Sequence, residues 1–312
     1  MQIDRGAYPD AVTPWDDPDW RTEALDWLSL ELGRAGIEES GPRRIRLRPW
    51  SIVLRLEAER PVWFKAASPG SAFEAGLSEA LTEYDCVLTP YAVDATRGWL
   101  LLPDGGPRLR DVPSGPDDWA DILGRYAEFQ RSLVPSTATL LGLGVPDARP
   151  SAMPAYFDRL VGGSQCLSPD DRSRLRTFQS TLADWCAELD AIGIPATLDH
   201  ADLHDGQILV PEPGRYTFFD WGDANVSHPF CSLLVAVDHI AEQYGADVVP
   251  RMQDAYLEPW TGYSRRDLLR AAELARRLSH LTRASSWTRL FPTAARLGDP
   301  ERAAALIRLI SA

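Results

Sequence analysis

The sequence predicts an α+β protein with a strand-rich first part and a mostly helical second part. Three observations predict this class. Across residues 43–66 apolar and charged residues alternate, with the period of two that is typical of β-strands. From Asp117 onward, apolar residues recur mostly at helical spacing. Between the two patterns lies Pro103-Asp104-Gly105-Gly106-Pro107, whose prolines and glycines interrupt regular structure.

These patterns predict two lobes, with a small antiparallel sheet in the N-terminal lobe. We place the N-terminal lobe at residues 1–102, a hinge at residues 103–106 and a helical C-terminal lobe at residues 107–312. The first 17 residues are rich in Pro and Asp and predict an irregular lead-in.

The expected elements of the N-terminal lobe follow from the spacing of its apolar residues. Helical spacing predicts helices at 19–36 and at about 71–84. Alternation across 43–66 predicts at least two antiparallel strands with a turn at 57–61, and shorter runs predict strands at 87–93 and 99–102.

The C-terminal lobe is expected to contain helices interrupted by a short β region. Helical spacing covers 117–133, 153–162, 168–189 and most of 229–312. The β region lies between Ala196 and Asp220, where two short apolar runs flank a Pro/Gly turn and predict a hairpin.

Composition and charge exclude several classes of protein. The chain has 312 residues, of which 45% are hydrophobic and 25% charged, so a wholly disordered protein is excluded. The net charge of −13 disfavours nucleic acid as a partner. We expect no membrane segment, because no apolar run approaches about 20 residues. The start of the chain lacks the pattern of a signal peptide, and the four cysteines are widely spaced, so a cytoplasmic protein is expected.

Lysine is nearly absent from the sequence. The 32 basic residues comprise 31 arginines and one lysine, Lys65, which follows Val62-Trp63-Phe64 at the end of a predicted strand. A GC-rich genome replaces lysine by arginine wherever any surface cation suffices. Because the arginine fork cannot enter a tight site built for an ammonium group, the remaining lysine is a candidate functional residue.

The predicted hairpin places oxygen-bearing side chains together. If Val210 faces Thr217, counting outward sets Gln207 opposite Asp220 at the open end of the hairpin. Asp202 lies five residues before Gln207, in the loop that enters the hairpin. A carboxylate and an amide oxygen suit Mg²⁺, and a neighbouring carboxylate can accept a hydroxyl proton.

These residues resemble the motifs of the aminoglycoside phosphotransferase and choline kinase-like superfamily, which has a protein-kinase-like fold. The catalytic loop of that superfamily is His-x-Asp, four residues and then Asn, with a metal-binding Asp after the next hairpin. The match is His200-Ala201-Asp202, then Gln207, then Asp220-Trp221-Gly222-Asp223. The resemblance covers roughly residues 45 to 240, and Gln207 stands where most relatives have Asn.

The resemblance implies a role for each matched residue. Lys65 would bind the nucleotide phosphates, with Glu74 as its partner on the following helix. Ser51 and nearby backbone amides would cover the phosphates, since the sequence lacks a G-x-G-x-x-G loop. Asp202 would be the catalytic base, and Gln207 and Asp220 would hold Mg²⁺.

The resemblance thus implies a kinase that transfers the γ-phosphate of ATP or GTP to a small hydroxylated substrate. The acceptor would be an amino sugar, an aminoglycoside-like antibiotic or a related metabolite. Acids near the catalytic loop, among them Asp199, Asp205 and Asp223, point to a cationic acceptor, and Asp205 and Asp223 are its candidate contacts.

Two alternatives stay open at this point. One is a metal-dependent phosphohydrolase that uses His200, the pair His204-Asp205 and the pair Asp238-His239 as ligands. That alternative leaves Lys65 unexplained. The other is a pseudokinase that binds nucleotide without catalysis.

Overall fold

The computed structural model describes residues 2–311, which form two compact units. The first unit runs to Gly106 and also contains Phe219–Gly222 and Trp287–Gly298. The remainder, which begins at Pro107, forms the second unit. The hinge predicted at residues 103–106 ends at this boundary, and its mobility stays a prediction.

The first unit is built on a mixed sheet. Its described strands form one six-stranded sheet in the order β1-β2-β3-β4-β6-β5. Their bounds are β1 Gln2–Asp4, β2 Arg44–Leu47, β3 Ser51–Leu56, β4 Val62–Ala67, β5 Ala92–Asp94 and β6 Trp99–Pro103. The helices of this unit are α1, Pro18–Ala35, and α2, Phe73–Ala80.

Several expectations for this unit need correction. The lead-in is not wholly irregular, because β1 pairs in parallel with β2. The region 43–66, for which at least two antiparallel strands were predicted, contributes three, with an additional turn at Pro49 and Trp50 between β2 and β3. The strand expected at 87–93 is confined to β5, and α2 ends at Ala80, short of the predicted residue 84.

One face of the sheet is packed against α1. The side chains of Ile52, Leu54, Phe64 and Leu101 are fully or almost fully buried on this face, together with Leu28 of α1. Helix α1 begins after Asp17, whose carboxylate accepts the Asp19 N–H, and ends at Gly36, which has a φ of 66°. These caps set the length of the helix that covers the sheet.

The opposite face of the sheet carries Lys65. Antiparallel pairing sets Val53 of β3 and Leu100 of β6 beside Lys65 of β4, so these side chains share one face. Ser51 pairs with Ala67 further along the same ladder. Because successive side chains of a strand lie on opposite faces of the sheet, Lys65 lies on the face opposite to the apolar core that α1 covers.

The second unit is mostly helical. Its helices are α3 Pro116–Ser132, α4 Thr137–Gly142, α5 Met153–Gly163, α6 Pro169–Ile192, α7 Leu233–Tyr244, α8 Val249–Leu257, α9 Arg265–Ser286 and α10 Asp299–Ser311. Its strands are β7 Asp147–Ala148, β8 Thr197–Asp199, β9 Ile208–Glu212, β10 Arg215–Phe218 and β11 Asn225–Ser227. Strands β9 and β10 form the hairpin, and β11 lies between β7 and β8 in a separate small sheet.

The hairpin differs in register from the prediction. Thr217 pairs with Leu209, not with Val210, and the pairing shifts between Arg215 and Thr217. The last pair joins Phe218 to Ile208. The predicted pairing of Gln207 with Asp220 is therefore wrong, because an irregularity in the strand moves the count by one residue.

None of the helices within residues 2–311 is both long enough and apolar enough to cross a bilayer.

Candidate active site

Lys65 lies between two carboxylates within the first unit. Its Nζ donates to Glu74 Oε1 and to Asp220 Oδ1, each at 2.5 Å. Lys65 is only 7% exposed and Glu74 only 2% exposed. Burial by itself lowers the pKa of a lysine, but the charges of Asp220 and Glu74 outweigh this and raise the pKa of Lys65 above its ordinary value. The ammonium group is therefore charged at every physiological pH.

Three glutamates lie on or just after helix α2, and they differ in burial. Glu74 lies in the first turn of α2 and is buried, whereas Glu79 and Glu83 are exposed. A 3-10 turn at Pro69–Ser71 leads from β4 into α2. The structure thus brings Lys65 and Glu74 together through the short connection between a strand and the next helix.

The turn that carries Asp220 has an unusual backbone. Asp220 has a φ of 66°, a left-handed conformation that costs a residue other than glycine roughly 1–2 kcal/mol. Two residues later, the carbonyl of Gly222 accepts from Ser71 Oγ at 2.7 Å and from Arg289 Nη1 at 3.3 Å. These contacts hold the turn in the conformation that presents Asp220 to Lys65.

Ser51 stands at the start of β3 and is 4% exposed. Its carbonyl accepts the Arg48 N–H at 2.9 Å, which closes a tight turn between β2 and β3. The neighbouring carbonyls of Pro49 and Trp50 accept from Phe291 and Ser68. The turn is anchored by its own backbone, and the predicted contact of Ser51 with phosphate stays a prediction.

The His-x-Asp loop belongs to the second unit and follows β8. His200 is fully buried, and its N–H donates to Tyr126 Oη at 3.0 Å. Ala201 has a φ of 59°, which turns the chain so that Asp202 leaves the strand direction. Asp199 supports this turn, because its carboxylate accepts the Ala201 N–H at 2.9 Å and the Ser232 hydroxyl at 2.6 Å.

Asp202 is surrounded by hydrogen-bond donors. Arg283 Nη1 donates to Oδ1 at 2.8 Å, Gln207 Nε2 donates to Oδ2 at 3.3 Å, and His204 Nε2 lies 3.5 Å from Oδ2. Burial would raise the pKa of Asp202, but His204 and the Arg283 charge lower it to about 2. The group is an ionised carboxylate, ready to accept a hydrogen bond from a hydroxyl.

Gln207 is oriented by its contact with Asp202. A carboxylate can only accept, so the amide nitrogen of Gln207 must face Asp202 Oδ2. The amide oxygen Oε1 is then directed elsewhere and is the atom that can ligate a cation. An amide oxygen and the partly exposed Asp220 carboxylate are oxygen ligands of the kind that Mg²⁺ prefers.

The acids near the catalytic loop already have partners in the second unit. Asp205 Oδ1 accepts from Arg110 Nη2 at 2.6 Å, and its Oδ2 lies 3.2 Å from His239 Nε2. Asp199 is fully buried, and burial raises its pKa. Both oxygens of Asp205 therefore have polar neighbours, and its contact with a cationic acceptor stays a prediction.

Asp223 ends the turn that follows Asp220, and it belongs to the second unit. Its carbonyl accepts from Asn225 Nδ2 at 2.9 Å. Its contact with substrate stays a prediction.

The ligand set of the phosphohydrolase alternative is not assembled. Within residues 2–311 no group of three or more His, Cys, Asp or Glu side chains is arranged to hold a metal ion. Asp238 pairs with Arg276 and His239 faces Asp205. His239 and Asp205, two members of the proposed set, lie 3.2 Å apart, but Asp205 is also bound by Arg110 and the described residues form no metal-holding group.

Several contact residues were missed at the level of sequence. Arg110, Arg283 and Arg289 bind Asp205, Asp202 and the Gly222 carbonyl respectively. Nothing in the sequence distinguishes them from the other arginines of the chain. Of the contact residues, only His204 could have been suspected from the sequence, because it is adjacent to Asp205 in the loop.

The sequence profile of the phosphotransferase enzyme family matches residues 53–269. This match covers more than half of the chain and includes Lys65, Glu74, the catalytic loop and Asp220. The chain belongs to this family and is a phosphotransferase that acts on an alcohol group. The predictions of the family and of the enzyme class are confirmed.

Solved structures of the same fold agree with this assignment. A macrolide 2'-phosphotransferase type I has 15% sequence identity and a TM-score of 0.58, with coverage of 97% of this chain and 99% of that chain. A phosphotransferase solved with GDP and kanamycin has 14% identity, a TM-score of 0.57 and coverage of 92% and 97%. An ethanolamine kinase of Plasmodium vivax has 16% identity, a TM-score of 0.57 and coverage of 84% and 78%.

These similarities show the fold. The α+β, protein-kinase-like class predicted from the sequence is therefore confirmed, with the sheet mixed where an antiparallel one was expected. A search of the curated proteins finds no significant match.

Proposed function

We propose that the protein transfers the γ-phosphate of ATP or GTP to a hydroxyl group of a small molecule. The observation that carries this proposal is the buried ammonium group of Lys65 between Glu74 and Asp220. A buried lysine with two carboxylates leaves one excess negative charge, which favours a site completed by a divalent cation. The donor would be met in the cytoplasm, the location that the sequence predicts.

The chemistry assigns one task to each residue. Lys65 binds the α- and β-phosphates, Glu74 holds its ammonium group in place, and Ser51 with the adjacent backbone lies near the phosphates. Asp202 accepts the proton of the acceptor hydroxyl as the acceptor oxygen forms its bond to the γ-phosphorus. The bond from that phosphorus to the β–γ bridging oxygen breaks, and the nucleoside diphosphate leaves.

Gln207 and Asp220 would hold Mg²⁺. Their amide and carboxylate oxygens suit this ion, which usually keeps several waters and takes few protein ligands beside the phosphates. When bound, the ion neutralises charge on the terminal phosphates. Gln207 would also steady Asp202 through its Nε2, so one side chain would link the cation site to the proton acceptor.

The acceptor is proposed as a small hydroxylated molecule, with amino sugars and aminoglycoside-like antibiotics among the candidates. The similar structures are those of a macrolide 2'-phosphotransferase, a phosphotransferase in complex with kanamycin and an ethanolamine kinase. Asp202 is paired with Arg283 and Asp205 with Arg110. Because these ion pairs reduce the negative charge around the loop, neutral acceptors belong in the test beside cationic ones.

The proposal is tested by following nucleoside diphosphate release from ATP and from GTP in the presence of Mg²⁺. The acceptor panel contains kanamycin, spectinomycin, erythromycin, glucosamine, maltose, choline and ethanolamine. Asp202→Asn is expected to lower kcat by about 10²–10⁴-fold with little change in nucleotide affinity. Asp238→Asn, which alters a surface carboxylate on α7, is the matched control. Nucleotide binding without transfer to any acceptor would instead support a pseudokinase.

A metal titration separates the cation ligands from the proton acceptor. Gln207→Ala and Asp220→Asn are expected to raise the Mg²⁺ concentration needed for half-maximal rate, whereas Asp202→Asn leaves it nearly unchanged. Gln207→Asn shortens the arm by one methylene, so partial activity with an altered Mg²⁺/Mn²⁺ preference is expected. If Asp202→Asn shifts the metal requirement and Gln207→Ala does not, the two roles are wrongly assigned.

A further inference from the structure

Arg283 makes two contacts with the catalytic loop inside the second unit. One nitrogen, Nη1, donates to Asp202 Oδ1 at 2.8 Å and to the carbonyl of Ala201 at 3.2 Å. Ala201 is the residue with a left-handed backbone, so Arg283 binds both the strained turn and the carboxylate that follows it. An ion pair with this second anchor is more than a surface contact between two mobile side chains.

The helix that carries Arg283 is firmly packed. On either side of Arg283 in α9, Leu281, Thr282 and Ala284 are almost completely buried. The side chain of Arg283 is 29% exposed and that of Asp202 is 19% exposed. A guanidinium group on a packed helix has a defined position, so it can fix the carboxylate that it binds. Arg283 lies beyond residues 53–269, the part that matches the family profile.

The two oxygens of Asp202 are held unequally. Oδ1 has the short contact with Arg283, whereas the contacts of Oδ2 with Gln207 and His204 are long, at 3.3 and 3.5 Å. A short charge-assisted hydrogen bond is the stronger constraint. Oδ2 is therefore the oxygen that can exchange a weak partner for a substrate hydroxyl.

His204 is not placed to take over the proton. Its Nδ1 faces the Gly206 N–H and Arg110 Nη2, each at 2.9 Å, and both of these groups can only donate. With two donors directed at Nδ1, a hydrogen on the other nitrogen, Nε2, faces Asp202. His204 Nε2 is therefore a donor towards Asp202 and not an acceptor of its proton, so the orientation of the Asp202 carboxylate itself matters.

We propose that Arg283 is a positioning residue for phosphoryl transfer, which holds Asp202 Oδ1 and the Ala201 carbonyl so that Oδ2 faces the acceptor hydroxyl. The inference rests on the proposed function, in which Asp202 accepts the hydroxyl proton. Among the described residues, Arg283 donates to Ala201 and Asp202, both of the second unit, and neither is a proposed ligand of the nucleotide or the cation. Its loss should therefore affect turnover and leave nucleotide binding intact.

The test compares three variants with the wild-type protein. Arg283→Gln removes the charge, Arg283→Lys keeps a cation, and Arg276→Gln removes an exposed arginine of the same helix that pairs with Asp238. The acceptor is the member of the panel above that gives the highest kcat/KM in the wild-type protein. The readouts are kcat, the KM of the acceptor, the Kd of ATP and the unfolding midpoint.

Arg283→Gln is expected to lower kcat by about 10–100-fold, the effect of a misplaced reactive group, with KM and Kd changed less than about threefold. Arg283→Lys should recover most of this loss, because a single nitrogen makes both contacts in the native protein. Arg276→Gln should retain wild-type kinetics.

Three results would overturn the inference. One is an unchanged kcat in Arg283→Gln. Another is a fall in kcat matched by an equal loss of ATP affinity and of folded protein in both Arg283 variants, which would show a purely structural contact. Absence of phosphoryl transfer in the wild-type protein would overturn the proposed function together with this inference, so the two failures are distinguishable.

Discussion

Lys65 occupies a site with little spare room. Its ammonium group contacts two carboxylates at once, and its side chain is almost fully buried. A guanidinium group is wider and planar, so it cannot take the same place between Glu74 and Asp220 without moving one of them. A lysine therefore fits this place by its shape as well as by its charge.

We expect Lys65→Arg to lower kcat/KM by about 10²-fold or more, although the charge is kept. Steady-state kinetics with ATP and GTP measure the effect. Arg55→Lys, an exchange of the same two residue types on the same sheet, is the control and should have a small effect. Near-normal kcat/KM in Lys65→Arg would show that the site tolerates the larger cation and that Lys65 has no special role.

Ala201, like Asp220, is a residue other than glycine with a left-handed backbone conformation. It is 3% exposed and has a φ of 59°, a conformation that glycine adopts without strain. The strain is maintained by contacts from Asp199 and Arg283. A residue without a Cβ atom should hold the same turn at lower cost.

Ala201→Gly is expected to raise the free energy of unfolding by about 1 kcal/mol, the relief of strain less the added entropy of the unfolded chain. Urea denaturation measures this difference. Ala183→Gly in α6, at an exposed position, is the matched control and should destabilise by about 1 kcal/mol. Destabilisation by both exchanges would show that the turn carries no strain.

His228 is a buried, titratable residue at the turn that precedes α7. It caps the 3-10 turn Pro229–Ser232, with Nδ1 accepting the Phe230 N–H at 3.2 Å. The side chain is 2% exposed, and burial lowers its pKa from 6.5 to about 3. The unfolded chain therefore binds a proton below about pH 6.5 that the folded protein excludes until about pH 3.

The free energy of unfolding should accordingly fall as the pH decreases from about 6.5 towards 3, by up to about 1.4 kcal/mol per pH unit from this group. His228→Asn can still accept the Phe230 N–H but does not titrate, so its stability should depend less on pH. Urea denaturation at a series of pH values measures both slopes.

His280 provides the control for this experiment. Burial lowers its pKa to about 4, so its contribution lies between about pH 6.5 and 4 and ends earlier than that of His228. His280→Gln should flatten only this upper range. Equal slopes for the wild-type protein and His228→Asn between pH 4 and 3 would contradict the assignment to His228.

At the scale of the whole molecule, the chain enters the first unit three times. After the N-terminal part, Phe219–Gly222 brings Asp220 to Lys65, and Trp287–Gly298 brings Arg289 to the Gly222 carbonyl. The segment between Pro103 and Pro107 is the first of the connections between the units.

We expect amide hydrogen exchange in β4 and α2 to slow several-fold when ATP and Mg²⁺ are added, because these elements carry Lys65 and Glu74, the residues of the proposed phosphate site. Exchange measured by mass spectrometry tests this. Lys65→Met, which removes the proposed phosphate contact, should abolish the protection. Equal protection in Lys65→Met and in the wild-type protein would contradict the role proposed for Lys65.

The sequence by itself determined the class of fold and the family, and it predicted the residues of the catalytic loop. Periodicities of 2 and 3.6 are local properties, and the His200-Ala201-Asp202 to Gln207 spacing is a local motif, so both can be read along the chain. The rarity of lysine singled out Lys65 before any contact was known. Each of these signals depends on residues close together in the sequence.

Only the tertiary structure decided which arginine meets which carboxylate, and where the hairpin pairs. Arg283 and Asp202 are separated by 81 positions and Arg110 and Asp205 by 95, and one arginine resembles another in a chain with many. The shift between Arg215 and Thr217 moved Gln207 out of register with Asp220. Contacts between distant positions and local backbone irregularities depend on how the whole chain packs, and no local pattern encodes them.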